Sequence, residues 1–290
     1  MAQSSYNIEK VYKEFNKMDG EFGVTKQGNG TIEHINGTIR NYCPHSRKSN
    51  GIGYCFYYHE MATSGVINLL ENLMKYGLDY DKLAEYAILF LSYKLYQNPE
   101  YSHRKLNDIY TKNIETNKYY NNKIKDNGLT CKEIINRKND LMNMNIKEIS
   151  KFNEAFSILC KLYNEIKNNK VDCTKYPSYP QNFANKFEEL NNDSSINGST
   201  SYSKLLSTLS DDYNHLKNNY GNNNSCNFPP LPKVKTPPSK LIPALSTFSV
   251  IPVFLGIAYK YSLFGIDQIF QRQYLRKKLK KVKKKLKLNI

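Results

Sequence analysis

The chain has 290 residues, enough for one or two domains of ordinary size. Its formal net charge is +16, and more than half of that excess lies after residue 266, beside an apolar run. A basic total usually suggests nucleic acid as the partner. Here the charge lies beside an apolar run, which favours an anionic lipid surface instead.

Residues 1–227 are predicted to form helices. The segments ATSGVINLLENLMKYG and DKLAEYAILFLSYKLY follow each other, and Gly77 and Asp79 separate them. The second segment is apolar almost all round, which is typical of a helix buried on every side. The sequence therefore predicts that this segment is the central helix of a bundle.

Two later segments show apolar residues at alternating steps of three and four. EISKFNEAFSILCKLYNEI has Ile149, Phe152, Phe156, Leu159, Tyr163 and Ile166. SYSKLLSTLSDDYNHL has Tyr202, Leu205, Leu209, Tyr213 and Leu216. Asn145 and Glu148 form a cap pair before the first of these helices. No long strand-like alternation is found, so the predicted fold class is all-α, a packed helical bundle.

All cysteines lie before the apolar run, at Cys43, Cys55, Cys131, Cys160, Cys173 and Cys226. An even number on the side predicted to be oxidising predicts three disulfides, whose pairing the sequence does not choose. Two alternatives stay open. One is free buried thiols in a cytosolic bundle, and the other is a zinc site at Cys43, His45, Cys55 and His59, although this spacing fits no common zinc finger.

No catalytic constellation is found. The five histidines are scattered, no Gly-rich loop joins a strand to a helix, and no Gly-x-Ser-x-Gly occurs. The sequence predicts a protein that is not an enzyme and has no cofactor.

The carboxyl-terminal part is predicted as a linker, a membrane span and a tail. The prolines of residues 228–240 favour an extended spacer. Leu241 to Tyr259 carries no charge over about 28 Å of helix, and snorkelling of Lys260 extends the predicted transmembrane helix to residues 241–264. The alternative, a buried core helix, would not need to be uncharged on every face.

Residues 265–290 are predicted as a basic tail. Leu275, Leu279, Val282 and Leu286 form one apolar stripe on a helix. We predict that the tail contacts an anionic inner leaflet through Arg272, Arg276, Lys277, Lys278, Lys280, Lys281, Lys283, Lys284, Lys285 and Lys287. A solvated charge run and a calmodulin-type target are the alternatives.

The charge asymmetry predicts the topology. The positive-inside rule keeps the basic tail in the cytoplasm and places residues 1–240 on the far side of the membrane. Residues 1–20 lack the apolar region of a cleavable signal, so the span doubles as the address or a dedicated export route exists.

Several stretches together resemble the Plasmodium interspersed repeat (PIR) superfamily, most of all its rodent-malaria branch (yir/bir/cir). They are LNNDSSINGSTSYSKLLSTLSDDYNHLKN, FPPLP, the run from KLIPALSTF to LRKKLKKVKKK, the helix ISKFNEAFSILCKLYNEI and the upstream NYCP. The resemblance implies a helical, disulfide-bonded extracellular domain, one span and a short basic tail, without enzyme activity. The chain departs from the family pattern in lacking a cysteine within the first ten residues.

The resemblance also implies a function. It implies a variant surface antigen that a malaria parasite exports into the infected red cell, with a role in immune evasion or host-cell binding. A host-cell surface or serum protein is the expected ligand, and a surface, vesicular or parasite-periphery membrane the expected location. The alternative is a membrane-anchored scaffold whose helical domain faces the cytosol and whose basic tail binds lipid.

Overall fold

A computed structural model of the chain describes residues 6–28, 30–45, 51–114, 117–126, 128–221, 226–237 and 270–284. The chain divides into two units, Met1–Pro237 and Pro238–Ile290. The predicted span at residues 241–264 lies outside the described residues. Within the described ranges, no helix is both long enough and apolar enough to cross a bilayer.

The first unit is mainly helical, which confirms that part of the predicted fold. Its helices are α1 (Ile8–Glu21), α2 (Tyr58–Leu73), α3 (Tyr80–Gln97), α4 (Leu106–Ile109), α5 (Cys131–Asn136), α6 (Asn139–Met142), α7 (Ile146–Ile149), α8 (Asn153–Asn164), α9 (Tyr179–Asn192), α10 (Ser194–Asn197) and α11 (Thr200–Tyr220). Short 3-10 turns cover Gly37–Tyr42, Met74–Tyr76, Lys118–Asn121 and Ser150–Phe152, and a π turn covers Tyr110–Ile114.

Helix α3 is the central helix, as predicted, and it packs against α2, α5, α7 and α8. Gly77 ends the preceding turn at φ 84°, a conformation that glycine adopts without a steric cost. The Asp79 carboxylate then accepts a hydrogen bond from the Lys82 amide at 2.8 Å and begins α3. Phe90 is fully buried and faces the rings of Phe15 and Phe22, so α3 carries the aromatic centre of the core.

The predicted all-α fold did not include two short hairpins that the structure contains. Strands β1 (Phe22–Gln27) and β2 (Gly30–Ile35) pair as an antiparallel hairpin, and β3 (Ile166–Lys167) and β4 (Lys170–Val171) form a shorter one. Beyond residue 23 no residue of β1 is buried, so no apolar alternation marks the strand. The available signal is the Gly-Asn-Gly between two segments that contain β-branched residues.

The long helix predicted after Asn145 is divided. The Asn145 amide donates to the Glu148 carboxylate at 3.2 Å, which confirms the cap pair. The helix then passes through a 3-10 turn, where the Ser150 hydroxyl donates to the Lys147 carbonyl at 2.8 Å. Such a local bond competes with regular helical pairing. Helix α8 ends at Asn164, and Ile166 lies in β3 instead of the helix.

One carboxylate is buried where α1, α3, α8 and α11 meet. The hydroxyls of Tyr12 and Tyr86 donate to Oδ2 of Asp212 at 2.8 and 2.7 Å, and the Tyr163 hydroxyl donates to its backbone carbonyl at 2.8 Å. Burial raises the pKa of Asp212 to about 6, although Lys82 and the two tyrosines oppose the shift. This network satisfies a polar group that the packing of four helices removes from water.

A buried lysine fastens the hairpin to the helices. The ammonium of Lys94, on α3, donates to the Asp19 carboxylate at 2.6 Å and to the Phe22 carbonyl at 2.7 Å. Burial lowers the pKa of Lys94, and Asp19 opposes that shift. A second buried cation, Lys138, donates to Glu85 at 2.7 Å, and Glu85 also accepts from Thr208 at 2.8 Å. These charges are paired, as burial requires.

The Pro-rich segment is not an extended spacer along its described length. Residues 226–237 run along α9 and α11, and we call them the strap. The Phe228 ring is buried against Tyr213, whose hydroxyl donates to the Pro229 carbonyl at 2.9 Å. The Asn191 side chain bonds the strap twice, to the Lys233 carbonyl at 2.9 Å and the Lys235 amide at 2.8 Å. The prolines therefore shape a docked segment.

Candidate functional site

Four cysteines form two disulfides, Cys43–Cys55 and Cys173–Cys226. They close loops with sequence separations of 12 and 53 residues. The second joins the loop before α9 to the start of the strap, so the strap is held covalently as well as by hydrogen bonds.

The predicted third disulfide is wrong, because Cys131 and Cys160 are unbonded. Cys131 begins α5 near Glu71, whereas the Cys160 carbonyl on α8 accepts from Asn16 of α1 at 2.8 Å. The Cys131 thiol lies near Glu71 and the Cys160 thiol near Asp19 and Asp212, so the two thiols have different neighbours. Burial raises the pKa of both thiols, that of Cys131 to about 12, which makes them unreactive.

The zinc alternative is also wrong. The Cys43–Cys55 disulfide uses both thiols that a zinc ion would need. His45 Nε2 lies 2.7 Å from a Glu60 carboxylate oxygen, and His59 Nδ1 lies 3.0 Å from the Tyr101 hydroxyl. No group of metal-binding side chains is present among the described residues.

The Cys43–Cys55 disulfide holds the segment that leads into α2. His45 and Tyr54 pair as an antiparallel bridge. Gly53 lies against the Cys43 carbonyl, where an added Cβ would come within 2.7 Å. The Glu60 carboxylate, in the first turn of α2, accepts from the Phe56 amide at 2.7 Å. One disulfide, one bridge and one carboxylate thus fix the chain on either side of Cys55.

This segment presents aromatic side chains to solvent. The exposed fraction is 39% for Tyr54, 64% for Phe56 and 58% for Tyr57. The Phe56 ring stacks on His45, with centroids 4.3 Å apart, and Tyr57 stacks on His59 at 5.4 Å. We call Tyr54, Phe56 and Tyr57 the aromatic surface.

Hydrogen bonds connect the start of α2 to the end of α3, and the end of α3 to the hairpin. Tyr58 follows Tyr57 and its hydroxyl donates to Gln97 at 3.4 Å, and the neighbouring Asn98 donates to Glu33 of β2 at 2.9 Å. Ile32 and Tyr96, from these same two segments, are 49% and 46% exposed. In the described part of the first unit, the large exposed apolar side chains therefore come from segments that hydrogen bonds connect.

This arrangement suits binding of another protein. Aromatic residues are enriched at the centres of protein interfaces, and exposed apolar clusters on otherwise polar domains mark interaction sites. The Phe56 and Tyr57 rings are held by stacking on His45 and His59, so little of their side-chain freedom is lost when they are covered. The sequence contained a signal that the prediction did not use, the run Tyr-Cys-Phe-Tyr-Tyr-His beside Gly51 and Gly53.

Most of the predicted membrane-contact residues lie in a helix of the second unit. Residues 270–284 are helical and every side chain in that helix is exposed. It carries Arg272, Arg276, Lys277, Lys278, Lys280, Lys281, Lys283 and Lys284. Lys285, Leu286 and Lys287 lie outside the described residues.

The fold and the candidate site together indicate one class of protein. It is a disulfide-bonded helical domain that presents an exposed aromatic surface. The family model described as Plasmodium variant antigen protein Cir/Yir/Bir matches residues 12–260. A solved Plasmodium PIR protein ectodomain is similar to this chain at 32% identity, covering 78% of this chain and 100% of that one, with a TM-score of 0.57. No curated protein sequence matches. The chain belongs to the Cir/Yir/Bir variant antigen family of the PIR superfamily, which confirms the resemblance found in the sequence.

Proposed function

We propose that the chain is a single-pass membrane variant antigen that a malaria parasite exports into the infected red cell. Its helical domain is displayed outside the membrane, and its role is host-cell binding or immune evasion without catalysis. Family membership supports this proposal, as does the similarity to a solved ectodomain. The two disulfides support it further, because disulfides persist in oxidising compartments.

The proposed topology rests on sequence. Residues 241–264 span the membrane, and residues 265–290 stay cytoplasmic because their basic side chains resist translocation. The strap keeps hydrogen bonds to the helices as far as Lys235, so the displayed domain includes the strap.

The observation that carries the binding role is the aromatic surface. A host-cell surface protein or a serum protein would cover Phe56 and Tyr57, which are the most exposed aromatic rings of the first unit's described residues. Burial of such rings at an interface contributes most of the affinity in many protein complexes.

Binding is tested with the full chain displayed on transfected cells. Host cells and labelled serum proteins are added, and bound material is counted. Phe56→Ser with Tyr57→Ser should abolish the binding seen with the unchanged chain. The control is Tyr176→Ser with Tyr179→Ser, a stacked aromatic pair elsewhere on the domain that is half-buried. Equal loss in both double variants would show that the aromatic surface is not the binding site.

Display is tested in infected cells with an epitope at each end of the chain. Protease added to intact cells should remove the amino-terminal epitope and spare the carboxyl-terminal one. The reverse pattern would support the alternative, a scaffold with its domain in the cytosol. The disulfides weigh against that alternative, because the cytosol keeps most thiols reduced.

A further inference from the structure

The tail helix, residues 270–284, differs from the helices of the first unit because none of its side chains is buried. It has fifteen residues and extends over about 22 Å. Eight of these residues are Lys or Arg, and none is acidic. Like charges at helical spacing repel each other, so a negatively charged surface would stabilise this helix.

The apolar side chains of the tail helix lie in one half of its circumference. At ~100° per residue, this half holds Phe270, Tyr274, Leu275, Leu279 and Val282. Each of the five is more than half exposed. The structure thus adds two aromatic residues, Phe270 and Tyr274, to the stripe of aliphatic residues that the sequence predicted.

The opposite half carries most of the charge. It holds Arg272, Arg276, Lys277, Lys280, Lys283 and Lys284. The remaining two cations, Lys278 and Lys281, lie within the apolar half on either side of Tyr274, and the Lys278 ammonium is 5.3 Å from the centre of the Tyr274 ring. A lysine stem that lies along an apolar face can keep its ammonium in a polar layer while the apolar residues are buried.

We propose that the tail helix is a docking site for an anionic phospholipid surface, on which it lies flat. The apolar half enters the boundary between headgroups and acyl chains, and the cations contact the headgroup phosphates and carboxylates. An anionic bilayer supplies negative charge and an apolar layer side by side, which matches both halves of this helix. A nucleic acid would match the charged half alone.

The docking does not depend on display of the domain, because it involves only the tail helix and one class of lipid. A tail that lies flat holds its own segment against the membrane without any protein partner. In this arrangement the basic residues bring the apolar half of the helix to the membrane surface.

The chain contains no tryptophan, so a single introduced tryptophan reports only on its own surroundings. The full chain carrying Leu279→Trp is reconstituted in vesicles of phosphatidylcholine, with or without phosphatidylserine. Its fluorescence should shift to the blue and be quenched by brominated acyl chains only in the anionic vesicles. The matched control is Lys280→Trp, on the opposite half, which should show neither change.

Further variants separate the effect of the basic residues on membrane association from the effect of the apolar residues. Arg276→Gln with Lys280→Gln should weaken tail association in the Leu279→Trp chain roughly fivefold for each charge removed, and high salt should act likewise. In the Tyr274→Trp chain, Leu279→Ser with Val282→Ser should reduce quenching by brominated lipid, whereas Gln273→Ser should not.

Three results would overturn the proposal. Equal quenching of the Leu279→Trp and Lys280→Trp chains would mean that the tail is a polybasic segment without a membrane-facing side. Equal quenching in neutral and anionic vesicles would remove the role of charge. A blue shift on addition of calcium-loaded calmodulin or RNA, with none on anionic vesicles, would assign the face to a different partner.

Discussion

Helix α3 and the tail helix are of similar length, but they are stabilised in different ways. Helix α3 has 18 residues, twelve of them buried, and its lysine at position 94 is paired with Asp19. The tail helix has no buried residue and its eight cations meet no acid within the helix. The first helix obtains its apolar contacts and counter-charges from its own chain, and the second must obtain both from another surface.

The first unit and the tail helix use their charged and apolar side chains differently. The first unit buries the paired cations Lys94 and Lys138 and closes two disulfides, so it can present exposed rings on a stable frame. The tail presents its binding chemistry along a whole helix. Substitutions on the aromatic surface should therefore cost little stability, whereas substitutions inside α3 should destabilise the domain strongly.

The largest expected effect compares the same substitution in the two helices. Phe90→Ala in α3 should lower the free energy of unfolding by about 3–5 kcal/mol, because it leaves a cavity beside Phe15 and Phe22. Phe270→Ala in the tail helix, where the ring is 64% exposed, should change it by less than about 0.5 kcal/mol. Urea unfolding monitored by circular dichroism measures both. Similar losses would mean that the tail helix packs on protein.

The disulfides should differ according to the loops that they close. Cys173→Ser with Cys226→Ser opens a loop of 53 residues and should cost about 4 kcal/mol. Cys43→Ser with Cys55→Ser opens one of 12 residues and should cost about 3 kcal/mol. Thiol counting in the unfolded, unreduced protein should find two free thiols. Six free thiols would contradict both disulfides and would favour the cytosolic alternative.

The buried carboxylate should make stability depend on pH. The pKa of Asp212 is about 6 in the folded protein, and an unfolded chain has about 3.9. The folded state therefore binds the Asp212 proton more tightly than the unfolded state does. The contribution of this proton to the free energy of unfolding is greatest below pH 4 and is lost as the pH rises through 6. The loss should be about 3 kcal/mol, and Asp212→Asn should remove it. Unfolding curves between pH 4 and 7 provide the measurement, and an unchanged slope in the variant would contradict the assignment.

The smallest effect concerns the strap. Asn191→Ala removes the side chain that bonds both Lys233 and Lys235, and it should cost about 1–2 kcal/mol. Hydrogen exchange should show faster exchange of the Lys235 amide with little change in α3. Asn185→Ala, an exposed asparagine on the same helix, is the control. Uniformly faster exchange would mean that the strap is part of the core instead of a docked boundary.

Several features of the fold were predictable because their signals are local. Apolar residues at steps of three and four indicated α11, the nearly continuous apolar run indicated α3, and Gly77 with Asp79 marked the boundary between two helices. The hairpin was missed because most of β1 is exposed and shows no alternation. The candidate site was missed for a related reason: aromatic residues beside a buried helix look the same in sequence whether they pack inside or face solvent.

The sequence by itself determined the helical periodicity, the caps, the family and the charge of the tail, since each can be read from the chain without knowing which distant segments meet. Tertiary structure alone decided which cysteines pair, because a disulfide depends on the distance between residues far apart in the chain. It also decided that the prolines of the strap dock on α9 and α11, and that Phe56 and Tyr57 stay exposed. Burial depends on all the elements that pack together, and no local pattern records that arrangement.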